Sequence, residues 1–128
     1  MPPELIEMEI PTGRSWEPVM RMVLAGVAEQ VDLGYDQLDD LQLAVERLLQ
    51  ETGSQDTVRI SVELDPRGLR TRIGPLRETP IAEALTGPPP PPGELTLRRI
   101  LETVVDSFGV EESEGGELVV RLEKAARR

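Results

Sequence analysis

The stretch Asp40–Glu51, DLQLAVERLLQE, carries the pattern from which the rest of the chain is interpreted. Its apolar residues recur every three or four positions, which predicts an amphipathic helix with one buried face. The predicted stripe consists of Leu38, Leu41, Val45, Leu48 and Leu49. Asp36 is a candidate cap before this helix, and Gly53 lies where a helix commonly stops.

Strand patterns flank this helix on both sides. Apolar and polar residues alternate across residues 57–73, and Asp65–Gly68 is a turn sequence, so this segment is predicted to form a β-hairpin. The same alternation predicts strands at Leu5–Ile10, at Phe108–Glu112 and around Leu118–Leu122. Lys124–Arg128 is interpreted as a short basic tail.

Two further helices are predicted. One begins after a Ser15 cap, tolerates Pro18 in its first turn and runs to about Gln30; the other lies near Glu94–Asp106. The apolar stripe of the first helix is predicted to contain Val19, Met22, Val23, Gly26, Val27 and Val31. Trp16 is predicted to fill the core, whereas exposure of its ring would instead indicate an interface.

Residues 74–93 interrupt these patterns. Ile81–Leu85 is predicted to make one helical turn, and five consecutive prolines at Pro88–Pro92 favour an extended polyproline helix. The run has two interpretations, a ligand for an aromatic groove or a stiff spacer. We favour the spacer because no basic residue follows the run before Arg98.

This order of elements indicates an α/β, two-layer sandwich. A mixed, mostly antiparallel sheet would be covered on one face by three helices. The 128 residues are predicted to form a single domain, 1–128, with a proline-rich, lid-like loop at about 74–93.

Composition excludes several kinds of chemistry. The chain has no cysteine and no histidine, which rules out thiol nucleophiles, imidazole bases and the usual zinc ligands. It also has no asparagine, and Lys124 is its single lysine. We therefore assign no catalytic residue and no metal site from the residues alone.

Charge and hydropathy limit the partners. A net charge of −10 argues against nucleic acid and against anionic membrane surfaces. It favours a basic protein partner, or it serves only to keep the domain soluble; both interpretations remain open. The absence of a signal pattern and of a long apolar run predicts a cytoplasmic location.

The helix DLQLAVERLLQE, the order of elements and the long loop before the last helix resemble the GHKL, or histidine kinase-like, ATPase fold. A nearer resemblance is to the bacterial anti-sigma regulatory factors, also described as serine-protein kinases. The segments Gly93–Leu101 and Phe108–Leu122 resemble the end of those proteins. The resemblance covers nearly the whole chain and rests mainly on core apolar positions.

The resemblance implies an ATP site whose characteristic residues are replaced here. The general base and the Mg²⁺-binding asparagine of the family fall at Arg47 and Glu51. An arginine stays protonated and cannot act as a base, whereas a carboxylate can still ligate Mg²⁺. A shift of one residue would place Glu46 and Gln50 in these roles, but it rotates both by about 100° around the helix.

The other two motifs of the family are also reduced. The aspartate-glycine motif that recognises adenine survives as Gly74, and the glycine-rich turn near the phosphates survives as Gly93 and Leu95. We therefore predict a remnant ATP site formed by Glu51, Gly74, Gly93 and Leu95. No cofactor is expected; ATP and Mg²⁺ would bind only if this divergent site is functional.

The resemblance also implies a function. We predict an anti-sigma-factor-like regulatory protein that binds a sigma factor or an anti-anti-sigma partner, without ATP hydrolysis. The family uses an acidic and a basic residue at the start of the first helix, which correspond to Glu17 and Arg21, with Arg14 nearby. The alternatives are an ATP-dependent serine protein kinase with a divergent site and, for Glu17 and Arg21, a solvated ion pair. A homodimer is a further expectation.

Overall fold

The computed structural model describes residues 4–51, 55–76, 79–89, 91–112 and 117–126. The strands are β1 Glu4–Pro11, β2 Thr57–Asp65, β3 Gly68–Leu76, β4 Ser107–Glu112 and β5 Leu118–Ala125. The helices are α1 Glu17–Ala28, α2 Tyr35–Gln50, α3 Thr79–Thr86 and α4 Leu97–Val104, and a 3₁₀ turn at Arg14–Trp16 precedes α1. The two-layer α/β class predicted from the sequence is confirmed.

The strands of the described residues form one antiparallel sheet in the order β1-β2-β3-β5-β4. The predicted hairpin is its centre, with Ile60 opposite Ile73 and Ile73 opposite Val120. These side chains belong to the face that packs against the helices, and all three are fully buried. The opposite face of the sheet carries charged residues. The alternation of apolar and polar residues in the sequence therefore corresponds to the buried and exposed faces of the sheet.

Helix α2 is the central element of the helical layer, with contacts to both α1 and α4. Leu41, Val45 and Leu48 are fully buried, and Leu49 is nearly so, as the apolar stripe predicted. Burial of a leucine or valine side chain contributes about 1.5–3 kcal/mol. The helix is therefore fixed by its apolar face, and its other faces are available for charged residues.

The face of α1 that turns inward differs from the prediction. Met20, Leu24, Val27 and Ala28 are the buried residues, whereas Met22 of the predicted stripe is 75% exposed. The helix is apolar on nearly every side, so its hydrophobic pattern could not identify the buried face. Trp16 is also not a core residue, since 43% of it is exposed.

Several predicted boundaries are corrected by the hydrogen bonds at the helix ends. Ser15 does not cap α1 but lies inside the 3₁₀ turn. Helix α2 starts at a Gly34 cap, whose amide donates to Gln37 Oε1 at 2.7 Å, instead of at Asp36. The predicted stop at Gly53 lies outside the described residues.

The segment predicted as a long loop contains more regular structure than its sequence indicates. Strand β3 continues to Leu76, and α3 makes two turns instead of one. Ile81 and Leu85 of α3 are buried in the core, which gives this short helix its anchor. Helix α4 is shorter than predicted, because its cap is Thr96 and its last residue is Val104.

Lys124 belongs to β5 and not to a terminal tail. Its ammonium group donates to the Val104 carbonyl oxygen at 2.7 Å and to Asp40 Oδ2 at 3.3 Å. The lysine thereby satisfies a carbonyl at the end of α4 and connects the sheet to α2.

Candidate functional site

The C-terminal turn of α2 holds the two positions that the resemblance assigns to the general base and the Mg²⁺ ligand. Arg47 Nη2 lies 3.6 Å from Glu51 Oε1, an ion pair between residues one helical turn apart. Both side chains are more than one third exposed. The pair places a cation where the family uses a base, and it partly neutralises the single carboxylate left for a metal.

Gly74 is explained by strand packing. It lies on β3 opposite Arg59 of β2, and a Cβ at this position would come within 2.8 Å of the Leu118 carbonyl oxygen. A side chain would therefore push β3 away from β5. The glycine has a structural reason to be present whether or not a ligand binds beside it.

Gly93 and Leu95 precede α4 in an exposed segment. Gly93 has a φ of +84°, which a glycine adopts without strain, and its missing Cβ faces open space. Leu95 is 76% exposed. The helix start that follows is capped from within the chain, because Thr96 Oγ1 accepts a hydrogen bond from the Arg99 amide at 3.2 Å.

Two surface cavities lie among the described residues. A cavity of about 430 Å³ lies near Pro75, lined by Glu9, Gln55, Asp56, Thr57, Val58, Arg59, Pro75 and Glu117. A second, of about 260 Å³, lies near the β2–β3 turn. Neither is lined by Glu51, Gly74, Gly93 or Leu95. Across the described part of the chain, no group of three or more carboxylates is placed to hold a metal ion.

The start of α1 presents a different arrangement around Arg21. Its guanidinium makes a two-point contact with Glu46 of α2, with Nη2 at 3.0 Å from Oε2 and Nε bonded to Oε1. Nη1 also donates to Gln42 Oε1 at 3.1 Å. The hydrogen bond to Glu46 raises the pKa of Arg21 above its ordinary value, so the side chain is a permanent cation.

Gln42 completes this connection between α1 and α2. It is 7% exposed, and its Nε2 donates to the Arg21 carbonyl oxygen at 3.0 Å. One glutamine therefore bonds both the backbone and the side chain of Arg21. The alternative interpretation of Glu17 and Arg21 as an ion pair is wrong about the partner, because Arg21 pairs with Glu46 and Glu17 is only a weaker electrostatic neighbour.

Exposed apolar side chains lie on a different side of α1 from the one on which Arg21 contacts α2. Met22 is mostly exposed, Val19 is 39% exposed, and both lie on the face of α1 that turns away from the core. Trp16 precedes Val19 by three residues and is also exposed. We call Trp16, Val19 and Met22 the α1 apolar patch. Arg14 and Glu17 flank it at the start of the helix.

The α1 apolar patch was missed from the sequence because Val19 and Met22 were assigned to the core. The signal that could have found it is the composition of α1, which is apolar on more of its circumference than one buried face requires. An apolar residue on the outer face of a helix is unremarkable alone, but three adjacent ones indicate a contact surface.

Known proteins resemble this chain at the level of the whole domain. The chain is similar to the serine-protein kinase RsbW of Bacillus cereus strain AH820, of Bacillus cereus strain Q1 and of Bacillus anthracis. Each is 25% identical over 134 residues, an alignment that covers 88% of this chain and 80% of the relative. This similarity supports the resemblance to the anti-sigma regulatory kinases. No family model matches the chain.

The lengths of the helices can be compared with the thickness of a membrane. Among the described residues, no helix is both long enough and apolar enough to cross a membrane. The longest, α2, has 16 residues and carries charged side chains along its outer faces.

Proposed function

We propose that this chain is a regulatory, protein-binding domain of the anti-sigma type, which captures a sigma factor or an anti-anti-sigma protein through the start of α1. The observation that carries the proposal is the α1 apolar patch, together with an oriented Arg21 that directly precedes Met22 in the same helix. Interfaces combine an apolar centre with a charged group in fixed geometry, and tryptophan, methionine and arginine are enriched there.

The contacts of Arg21 supply the fixed geometry. A free arginine side chain loses rotamer freedom when a partner binds, which weakens association. Here Glu46 and Gln42 hold the guanidinium before any partner arrives, while 42% of the side chain stays exposed. Arg14 and Glu17 are proposed to contribute charge at the edge of the same surface.

Capture of candidate partners tests this surface. The full chain is titrated by calorimetry against each purified sigma factor and anti-anti-sigma protein from its own cell. Met22→Asp is expected to weaken binding by about tenfold or more, because it places a charge at the centre of the contact. Arg21→Glu is expected to abolish it by reversing the charge that the partner meets.

Leu95→Asp is the matched control, since Leu95 is 76% exposed and Met22 is 75% exposed. Both variants add one negative charge to an exposed apolar position, and thermal unfolding confirms that each remains folded. Equal effects of the two variants, or no capture of any protein of these classes, would refute the proposed surface.

The proposed function does not use ATP hydrolysis. The residues at the remnant ATP site do not fit Mg-ATP. Arg47 is a permanent cation, and Glu51 is paired with it. Gly74 packs closely against Leu118 of β5, which explains the glycine without a ligand. The chain also contains no asparagine to replace the missing Mg²⁺ ligand.

Calorimetry with Mg-ATP at millimolar concentration tests whether the chain binds ATP. A ligand that binds the folded state raises its stability in proportion to the logarithm of its concentration. We expect no heat of binding and no rise in the melting temperature. A heat that requires Mg²⁺ and disappears in Glu51→Gln would contradict the proposal.

The alternative function is an ATP-dependent serine protein kinase, and the similarity to proteins named serine-protein kinase favours it. Such an enzyme would need Glu46 or Glu51 as a base or metal ligand. Both carboxylates are bound to arginines, Glu46 to Arg21 and Glu51 to Arg47. Transfer of labelled phosphate from ATP to a serine of the captured anti-anti-sigma protein would establish the kinase.

A further inference from the structure

Strand β1 forms an edge of the sheet. Among the described strands it pairs with β2 alone, in continuous register along its eight residues. An edge strand carries a row of backbone N–H and C=O groups on its outer side, and these can pair with the strand of another chain. The outer side of β1 is therefore a candidate binding surface.

The register shows which residues of β1 direct their backbone groups outward. The same pairing continues past the strand, where the Thr12 amide donates to the Asp56 carbonyl oxygen at 3.1 Å. In an antiparallel pair the hydrogen-bonded positions recur at every second residue, so the even-numbered residues of β1 bond β2. Leu5, Glu7 and Glu9 consequently direct their N–H and C=O groups away from the sheet.

The side chains of β1 leave the core partly open at the start of the strand. Ile6, Met8 and Ile10 lie on the face that packs against the helices, because side chains alternate along a strand. Ile10 is buried, Met8 is partly buried and Ile6 is 38% exposed. An apolar side chain on a further strand would cover Ile6.

The outward-facing residues of β1 form an acidic border. The strand contains three glutamates and no basic residue, and Glu7 has no ion-pair partner in the described part of the chain. Glu9 also lines the cavity of about 430 Å³, where Asp56 and Glu117 add two carboxylates and Arg59 supplies one cation. The edge therefore attracts positive charge.

The same charge disfavours a second copy of this chain on the edge. In the two antiparallel registers with the largest overlap, Glu7 would lie opposite Glu7 or Glu9 of the other copy. Like charges directly opposite each other destabilise a strand pair. The acidic edge thus blocks self-pairing and remains open to a strand of opposite charge.

Strand β4, at the other edge of the sheet, differs in both respects. Glu111 is neutralised by hydrogen bonds from Arg72 and Arg121, and helices α3 and α4 both contact the strand. The two edges are therefore not equivalent, and β1 is the one with uncompensated charge.

We propose that the outer edge of β1 binds an extended segment of a partner protein in which basic residues alternate with apolar ones. The basic side chains would lie opposite Glu7 and Glu9, and the apolar ones would continue the face of Ile6. Backbone hydrogen bonds supply affinity in this mode of recognition, and alternate side chains supply specificity. The residues differ from those of the α1 apolar patch, so this edge can bind whether or not that patch binds a protein.

Hydrogen exchange on the full chain tests the proposal. The ¹⁵N-labelled protein is titrated with a synthetic peptide of alternating arginine and valine, as long as β1, and amide exchange is followed by nuclear magnetic resonance. At saturation we expect exchange of the Leu5, Glu7 and Glu9 amides to slow by about tenfold or more, because each outward N–H becomes bonded or covered. The amides of Ile6 and Met8 already bond β2 and should change far less.

Modified peptides separate strand pairing from general attraction of charge. A peptide of alternating glutamate and valine is expected not to bind. Methylation of the arginine amides should abolish binding, because residues opposite Glu7 and Glu9 direct their N–H groups towards β1. Methylation of the valine amides, which face away, should leave binding unchanged, although the peptide charge is the same.

Variants of the protein test the edge from the other side. Glu7→Gln is expected to weaken binding a few-fold by removing charge. Glu7→Pro should weaken it by about tenfold or more, since it also removes an outward N–H. Its N–H does not bond β2, so proline is compatible with this edge position, and thermal unfolding confirms the fold. Glu112→Gln, which removes the same charge from an exposed position of β4, is the matched control and should bind unchanged.

Several results would overturn the proposal. These are unchanged exchange of the Leu5, Glu7 and Glu9 amides, equal binding of the two methylated peptides, or an equal loss in Glu112→Gln and Glu7→Gln. Slowed exchange that follows the concentration of the protein without any peptide would instead assign the edge to a second copy of this chain. The peptide comparison decides the matter even where Glu7→Pro does not fold.

Discussion

Two ion pairs of helix α2, one residue apart in sequence, differ in what they connect. Glu46 bonds Arg21, a residue 25 positions away on α1, through both carboxylate oxygens, and its side chain is 14% exposed. Arg47 bonds Glu51 one turn further along the same helix, at 3.6 Å, with both side chains exposed.

The difference indicates which side of α2 the fold depends on. A two-point bond between helices is shorter and stronger than a single contact, and it fixes their relative position. An exposed pair at i, i+4 contributes only a few tenths of a kcal/mol. The side of α2 that faces α1 is therefore constrained by contacts between helices, whereas the pair at its C-terminal end lies within one exposed turn.

The largest effect is expected from truncating a buried leucine of α2, the face that fixes the helix to which both pairs belong. Leu48→Ala is expected to lower the free energy of unfolding by about 2–5 kcal/mol, because Leu48 is fully buried and its truncation leaves a cavity. Urea denaturation measures the change. Leu43→Ala, at an exposed position of the same helix, should cost far less; a similar loss would mean that the buried face does not fix α2.

The two pairs themselves can be compared by removing one carboxylate from each. Glu46→Ala is expected to lower the free energy of unfolding by about 1 kcal/mol, and Glu51→Ala by only a few tenths. A double-mutant cycle of Arg21→Ala and Glu46→Ala measures the coupling in chemical denaturation. A coupling energy between Arg21 and Glu46 no larger than that between Arg47 and Glu51 would show that the two ion pairs do not differ in strength.

The helix that packs on the other side of α2 offers a smaller test. Thr96→Ala should lower the free energy of unfolding by about 0.5–1 kcal/mol, since it removes the side chain that caps α4. Ser15→Ala is the comparison, because the sequence suggests a cap there and the structure shows none. Equal losses for both would indicate that Ser15 caps α1 in solution.

The open face of the sheet provides a third kind of ion pair, with the smallest expected effect. Glu111 accepts from Arg72 at 2.9 Å and from Arg121 at 3.1 Å, and the bond from Arg72 holds the pKa of Glu111 below its ordinary value. Its stabilisation is therefore complete above the pKa of an unfolded glutamate, about 4.3, and is lost as the pH falls through the lower pKa of the folded state.

Glu111→Gln should consequently flatten the fall in stability below about pH 4.3. Equilibrium denaturation at several pH values measures this slope. Glu112→Gln removes the same charge from the next, exposed position of β4 and serves as the control. Identical slopes for the two variants would show that the bonds of Glu111 contribute nothing.

The fold followed from the sequence wherever one face of an element is clearly apolar. Helix α2 and the β2–β3 hairpin have an unambiguous period, so their positions and buried faces were predicted correctly. Helix α1 has apolar residues on several faces, and its orientation was predicted wrongly at Met22. Helix α3 was underestimated because two turns give too short a pattern to recognise.

For the candidate site, the sequence predicted which positions are involved but not which residues contact each other. That Arg47 and Glu51 stand one turn apart is a property of any helix, and their pairing could be anticipated. The choice of Glu46 over Glu17 as the partner of Arg21 could not, because it depends on where α2 lies relative to α1.

The sequence by itself determined the layers of this protein and the exclusion of cysteine and histidine chemistry. These depend on local periods and on composition. The tertiary structure decided that Arg21 is held by Glu46, that Arg98 donates to the Gly87 carbonyl oxygen, and that Lys124 joins β5 to α2 and α4. Such contacts join residues on different elements, and the packing of the core, not the spacing along the chain, sets their distances.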